Sequence, residues 1–263
     1  MATHENAHDK LFKSALANRN DAAMELRAVL PPALAAQIDF SSLEPLPGTF
    51  VDEHMRGSHA DLLYTVQCSG HDTCLYVLFE HKSEVDRWTL VQLLRYMVRI
   101  WEQCLAQKPP PATLPPIIPV IVHHSEAGWT APTYFQGLFE PTAIADSDLR
   151  RLTPEFEVQL DDISHCSDEE LRDRGMGPEA TLGFLFLRDG RREGRVIGEL
   201  LAWADLFSDL DASPEGRDAI VRLFSYLLRV APNLRLKDLA EQVKRAIPER
   251  NDVVSTLAEK LIE

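Results

Sequence analysis

The chain has no run of apolar residues approaching the roughly 18 needed to span a bilayer, and its opening stretch, MATHENAHDK, is too polar for a signal peptide. Cysteine is scarce. Four are present, at 68, 74, 104 and 166, with no CxxC pair and no spacing of a disulfide framework, so the reading is reduced thiols in a cytoplasmic protein. A P-loop, a GxGxxG turn and a nucleophile elbow are all lacking, which argues against nucleotide-dependent and serine-nucleophile chemistry. Positive charge is also short, with 27 Lys and Arg against 41 Asp and Glu and a net charge of −14. Residues 1–150 and 151–263 each carry −7, so neither half is a basic arm of the kind that holds duplex DNA by phosphate neutralisation. A local basic strip beside an acidic site is still compatible with that balance.

What is present is the balance of a globular protein, 45% hydrophobic and 26% charged over 263 residues. Residues 8–30 carry apolar side chains at helical spacing in two segments, closed by Pro31-Pro32. Residues 41–52 read as a short strand pair broken by Pro45, Pro47 and Gly48. Two stronger strands follow, Ala60–Cys68 and Cys74–Lys82, joined by the turn-prone Ser69-Gly70-His71-Asp72. The second is apolar almost throughout, as in a central strand covered on both faces. A long helix is predicted from Trp88 to Gln107, ending before Pro109-Pro110-Pro111, and another apolar strand over Ile117–His123. A strand returning after a crossover helix implies a mixed sheet with helices packed on it. Phe156–Ile163 reads as a further strand, and the remainder as helices over 179–188, 194–207, 215–230, 235–246 and 252–262. The expected architecture is a mixed α/β core over 1–150 and a mostly helical region over 151–263.

One constellation carries chemistry. Antiparallel pairing sets the start of one strand beside the end of the next, and residues two apart share a face. Asp61, Glu80 and Lys82 therefore meet at one edge of the sheet. Two carboxylates on adjacent strands suit Mg²⁺, with Mn²⁺ or Ca²⁺ as alternatives, and the His81 carbonyl can add a third oxygen. Lys82 would hold or help deprotonate the attacking water, whose pKa the metal lowers. On the following helix Gln92 and Tyr96 share a face, as do Arg95 and Arg99. Gln92 can bond the metal-bound water or a carboxylate, and Arg95, Arg99 and Tyr96 are candidates for substrate contact. Charges flanking a strand are also a common form of solvated end, so this spacing alone is weak evidence.

Five blocks add to it. HDKLFKSAL (8–16), FVDEHMRGSHADLLYTV (50–66), LYVLFEHKSEVD (75–86), LLRYMVRIW (93–101) and IIPVIVHHSEAGW (117–129) resemble, in order, the recombination-promoting nuclease or YhgA-like putative transposase family of the PD-(D/E)XK nuclease superfamily. The resemblance covers about residues 8–140. It implies a restriction-endonuclease-like fold and Mg²⁺-dependent DNA endonuclease activity linked to recombination and mobile DNA. Asp61 and Glu80 would be the metal carboxylates and Lys82 the superfamily lysine, where many members have Gln. Gln92-Leu-Leu-Arg-Tyr96 is similar to the QxxxY motif of RecB-type nucleases, although many members of the family carry Arg at position 92. Asp9 falls in the opening HD pair, and Glu25 stands where the superfamily often has a helix-borne acid. The rival reading is a non-catalytic acidic protein that keeps the fold for interaction or self-association, and a third is a nuclease acting on RNA. DNA is the expected partner, with no membrane, and the apolar helices late in the chain are compatible with a homodimer. His123-His124 point to opposite faces and are read as strand-end packing, Trp129 as a loop anchor, and GRREGR (190–195) as a solvated turn with DNA contact as its alternative.

Overall fold

The computed structural model describes residues 2–46, 62–68, 75–231 and 233–246. Asp61, the turn at 69–72, Cys74 and the helix expected over 252–262 lie outside the described residues. The elements run α1 (Ala2–Ala15), α2 (Arg19–Val29), α3 (Pro32–Ala35), β1 (Ile38–Leu46), β2 (Leu62–Cys68), β3 (Leu75–Lys82), α4 (Thr89–Ala106), β4 (Ile117–His123), α5 (Pro141–Ala145), α6 (Ser147–Arg150), β5 (Gln159–Asp162), α7 (Asp168–Arg172), α8 (Pro178–Asp189), α9 (Glu193–Glu199), α10 (Ala204–Asp211), α11 (Gly216–Val230) and α12 (Leu236–Ala246). They divide into two compact units. One holds residues 25–164, the other residues 1–24 and 165–263.

The first unit is built on a five-stranded sheet in sequence order β1-β2-β3-β4-β5. β1, β2 and β3 pair antiparallel, while β3, β4 and β5 run parallel. The parallel pairing of β3 and β4 requires a crossover, and α4 supplies it. Its buried side chains, Leu90, Leu93, Tyr96, Ile100 and Cys104, pack against Leu63, Tyr76, Leu78 and Ile121 on one face of the sheet. At 25 cal/mol per Å², each large side chain removed from water here contributes about 1.5–3 kcal/mol. The interior strands β3 and β4 are mostly apolar because they are flanked on both sides, and the β-branched run IIPVIV of β4 suits that position.

Residues 41–52 do not form a strand pair. A single strand, β1, runs over Ile38–Leu46 with an irregular register between Asp39 and Glu44. Pro45 sits inside it, opposite Tyr64. An edge strand tolerates proline because the missing N–H is not needed by a second neighbour.

The second unit is helical. α8 is its centre: Ala180 to Asp189 are all buried, the pattern of a helix enclosed by others rather than laid on a surface. α1, α10 and α11 pack around it. A Cβ added at Gly183 would lie 2.9 Å from the Ala15 Cβ, so α1 and α8 approach at a point only glycine permits. The helix expected over 194–207 is two, α9 and α10, with a turn at 200–203. The Trp203 indole of that turn is buried and donates to the Asp168 carboxylate at 2.5 Å. No helix among the described residues is long and apolar enough to cross a membrane.

Candidate metal and phosphodiester site

β3 ends in Glu80-His81-Lys82, and strand alternation sends Glu80 and Lys82 to the face covered by α4. α4 faces them with Gln92, one turn before Tyr96. Four side chains from these two elements form one hydrogen-bonded cluster. Gln92 Nε2 donates to Glu80 Oε1 at 2.7 Å and stands 2.8 Å from the Tyr96 hydroxyl. Lys82 Nζ donates to Gln92 Oε1 at 2.9 Å and forms an ion pair with Glu80 Oε1 at 3.0 Å. Glu80 is 3% exposed, so its charge is tolerable only with such company. The Lys82 side chain keeps 18% of its surface, which leaves the cluster a wet side.

The other sequence candidates are placed as follows. Tyr96 is fully buried, and its hydroxyl meets Gln92. It therefore backs the glutamine from within the core. His81 alternates to the opposite face, where its ring stacks on His124 at 5.1 Å. Arg95 and Arg99 are exposed on α4, and Arg99 donates to Glu102 at 2.8 Å. Glu25 is fully buried in the sheet unit. Asp9 belongs to the helical unit, half-buried beside His8. His8 is a buried structural residue there. Its Nδ1 is 2.9 Å from the Tyr226 hydroxyl, and Arg191 donates to its Nε2.

The basic GRREGR patch is turned to internal work. Arg191 meets His8, while Arg192 and Arg195 lie 3.7 and 3.3 Å from Asp189 Oδ1. Among the described residues no group of three His, Cys, Asp or Glu side chains could hold a metal ion. The described part of the site thus presents one buried carboxylate, Glu80. Leu62, whose partner across the ladder is Phe79, directly follows Asp61 in the chain.

A second cluster adjoins the first, and it includes His123, which the sequence reading takes as strand-end packing, and Trp129, which it takes as a loop anchor. Lys82 is in register with His123, and His123 with Asp162, at the ends of three parallel strands. His123 Nε2 is 2.9 Å from Ser125 Oγ, and its ring meets Trp129 edge-on. The Trp129 backbone N–H donates to Asp162 Oδ2 at 2.6 Å, and its half-buried side chain packs against the sheet core, so Trp129 does anchor its loop. Burial pushes the His123 pKa down, with partial opposition from the Asp162 charge. Burial pushes Asp162 up, but hydrogen bonds from Ser164 and the Trp129 N–H outweigh it and hold the carboxyl below its usual range.

A histidine with a lowered folded-state pKa takes up its proton more readily when unfolded. Its contribution is present above the unfolded pKa of about 6.5 and is lost as pH falls through the folded value. Thermal unfolding followed by circular dichroism should show a loss of stability below about pH 6.5, and His123→Gln should flatten it. An unchanged pH profile in the variant would count against this assignment.

The model of the family described as "Putative transposase, YhgA-like" matches residues 6–215. The chain belongs to that family. Its relatives include recombination-promoting nuclease RpnD of Escherichia coli O157:H7, 26% identical over 98% of this chain and 95% of the relative. They also include recombination-promoting nuclease RpnA of Escherichia coli strain K12, 26% identical over 97% of this chain and 82% of the relative. A third, the inactive recombination-promoting nuclease-like protein RpnE of strain K12, is 24% identical over 99% of this chain and 83% of the relative. No solved structure matches the chain.

Proposed function

We propose that this YhgA-like chain is a divalent-metal-dependent DNA endonuclease acting in recombination, with the PD-(D/E)XK arrangement at its centre. The observation that carries the reading is the cluster joining Glu80, Lys82, Gln92 and Tyr96 at the end of β3. A buried carboxylate held by a lysine and a glutamine is costly to build and is suited to a hard cation. The names of RpnD and RpnA support it.

Glu80, together with Asp61, the residue before β2 in the sequence, would hold Mg²⁺. A bound Mg²⁺ supplies charge neutralisation at the phosphate and a more acidic water. Lys82, with its exposed edge, would orient a water there, and Gln92 fixes the Glu80 carboxylate. Tyr96 locks the Gln92 amide from below. Arg95 and Arg99 offer phosphate contacts on the outer side of α4.

The test is cleavage of supercoiled plasmid by purified protein with Mg²⁺ or Mn²⁺, with EDTA as control and RNA offered in parallel. Metal-dependent nicking or linearisation, absent in Asp61→Ala, is the expected result. The non-catalytic reading is favoured by the net charge of −14 and the inactive relative RpnE. It prevails if neither nucleic acid is cut and calorimetry detects no Mg²⁺ or Mn²⁺ binding.

A further inference from the structure

Of the four tryptophans, Trp88 alone is exposed, with 59% of its surface open. It sits at the start of α4, and its backbone is held by hydrogen bonds. Its N–H donates to Asp86 Oδ1 at 2.8 Å, while the Thr89 N–H and hydroxyl both donate to the Asp86 carbonyl. The Val91 and Gln92 N–H groups bond the Trp88 carbonyl, so Trp88 begins the first turn of α4. Trp88 and Gln92 are thus i, i+4 neighbours, with Cβ atoms about 5–6 Å apart. Gln92 is the residue that binds Glu80. Val85 and Arg87 are exposed on the same six-residue link from Lys82.

An open indole on a hydrogen-bonded stretch of backbone, next to the candidate site and flanked by an arginine, fits a nucleobase whose face is free. Bases inside a duplex have both faces covered by their neighbours. Bases in a single strand, at a frayed end or next to a nick do not. Stacking also needs no net positive charge, which this chain lacks, whereas tight duplex binding rests on phosphate neutralisation.

We propose that Trp88 is a stacking platform for an unpaired base next to the scissile phosphate, with Arg87 on the adjoining phosphate, and that the preferred substrate is single-stranded or locally opened DNA. The assignment of the scissile position rests on the nuclease reading above; the stacking itself does not.

The test separates the two. Binding of a labelled 20-mer is measured by fluorescence anisotropy in EDTA, as a single strand and as its blunt duplex, and cleavage of both is measured in Mg²⁺. The wild type should prefer the single strand. Trp88→Ala should weaken single-strand binding and raise KM about tenfold with kcat nearly unchanged, the scale of one base–aromatic stack. Trp88→Phe should retain most of the affinity, and duplex binding should not change. Equal single-strand binding by wild type and Trp88→Ala overturns the proposal, even where cleavage is seen. Trp88-dependent binding without any cleavage leaves the platform standing and overturns the nuclease reading. Absence of both binding and cleavage overturns both.

Discussion

Glu80→Gln is expected to lower the rate of metal-dependent DNA cleavage on the order of 10³-fold, or about 4 kcal/mol of transition-state stabilisation. The substitution keeps the shape of the side chain and removes its charge. Hydrogen bonding to Gln92 is preserved in form, since an amide oxygen can still accept from Gln92 Nε2. What is lost is the charged oxygen that pairs with Lys82 at 3.0 Å and that would ligate a cation. Substrate binding through surface contacts on α4 does not depend on it, so kcat should fall far more than KM rises. Stability should change little, because a buried carboxylate is exchanged for a neutral amide in the same space and Lys82 keeps an edge open to water for its charge. Circular dichroism and a denaturation midpoint close to wild type would establish that the variant is folded. A folded Glu80→Gln protein that cuts plasmid at the wild-type rate, with contaminating nuclease excluded, would remove Glu80 from the chemistry and with it the proposed function.

The legible parts of this molecule are those governed by local rules. β4 is visible as Ile117–His123 because its β-branched run has strand propensity and flanking prolines. α4 is visible from its apolar spacing and its stop before three prolines. The meeting of Glu80, Lys82 and Gln92 follows from two-residue alternation along β3 and four-residue spacing along α4, and the structure brings them within hydrogen-bonding distance. Other features depend on partners distant in sequence. β5 covers only Gln159–Asp162, because Phe156 stacks with Phe135 and Glu157 bridges to Tyr134 outside the sheet. Pro45 reads as a breaker until its strand is known to be an edge. The contact of Gly183 with Ala15 joins residues 168 positions apart, and no local pattern announces it. Trp88 was legible only as the start of a helix. Its exposure is a tertiary fact.

The same contrast underlies the largest expected effect on stability. Arg188-Asp189 ends α8, and both side chains are fully buried. Arg188 Nε and Nη2 both donate to Asp189 Oδ2, at 2.9 and 2.5 Å, and Nη1 donates to the Cys166 carbonyl at 2.7 Å. Arg188 also pairs with Asp168, whose other oxygen accepts from the Trp203 indole. One guanidinium therefore ties α8, α7 and the turn before α10 together. Burial works against its charge, but the two carboxylates outweigh burial and raise its pKa. Arg188→Met should destabilise the helical unit by about 3–5 kcal/mol, because it leaves Asp189 buried without its main counter-charge. The prediction is read as a lower denaturation midpoint in urea with an unchanged slope. Arg188→Met with Asp189→Leu should recover part of the loss, since replacing both members of a buried pair by apolar groups of similar volume is far less costly than removing one. Asp168 adds a pH signature. Burial raises its pKa, but the Trp203 and Arg188 hydrogen bonds outweigh that and hold the carboxyl low. Its contribution is thus present above the ordinary carboxylate range and lost as pH falls through the depressed value. If the single and double variants unfold at the same urea concentration as the wild type, the buried arginine is not what holds these helices.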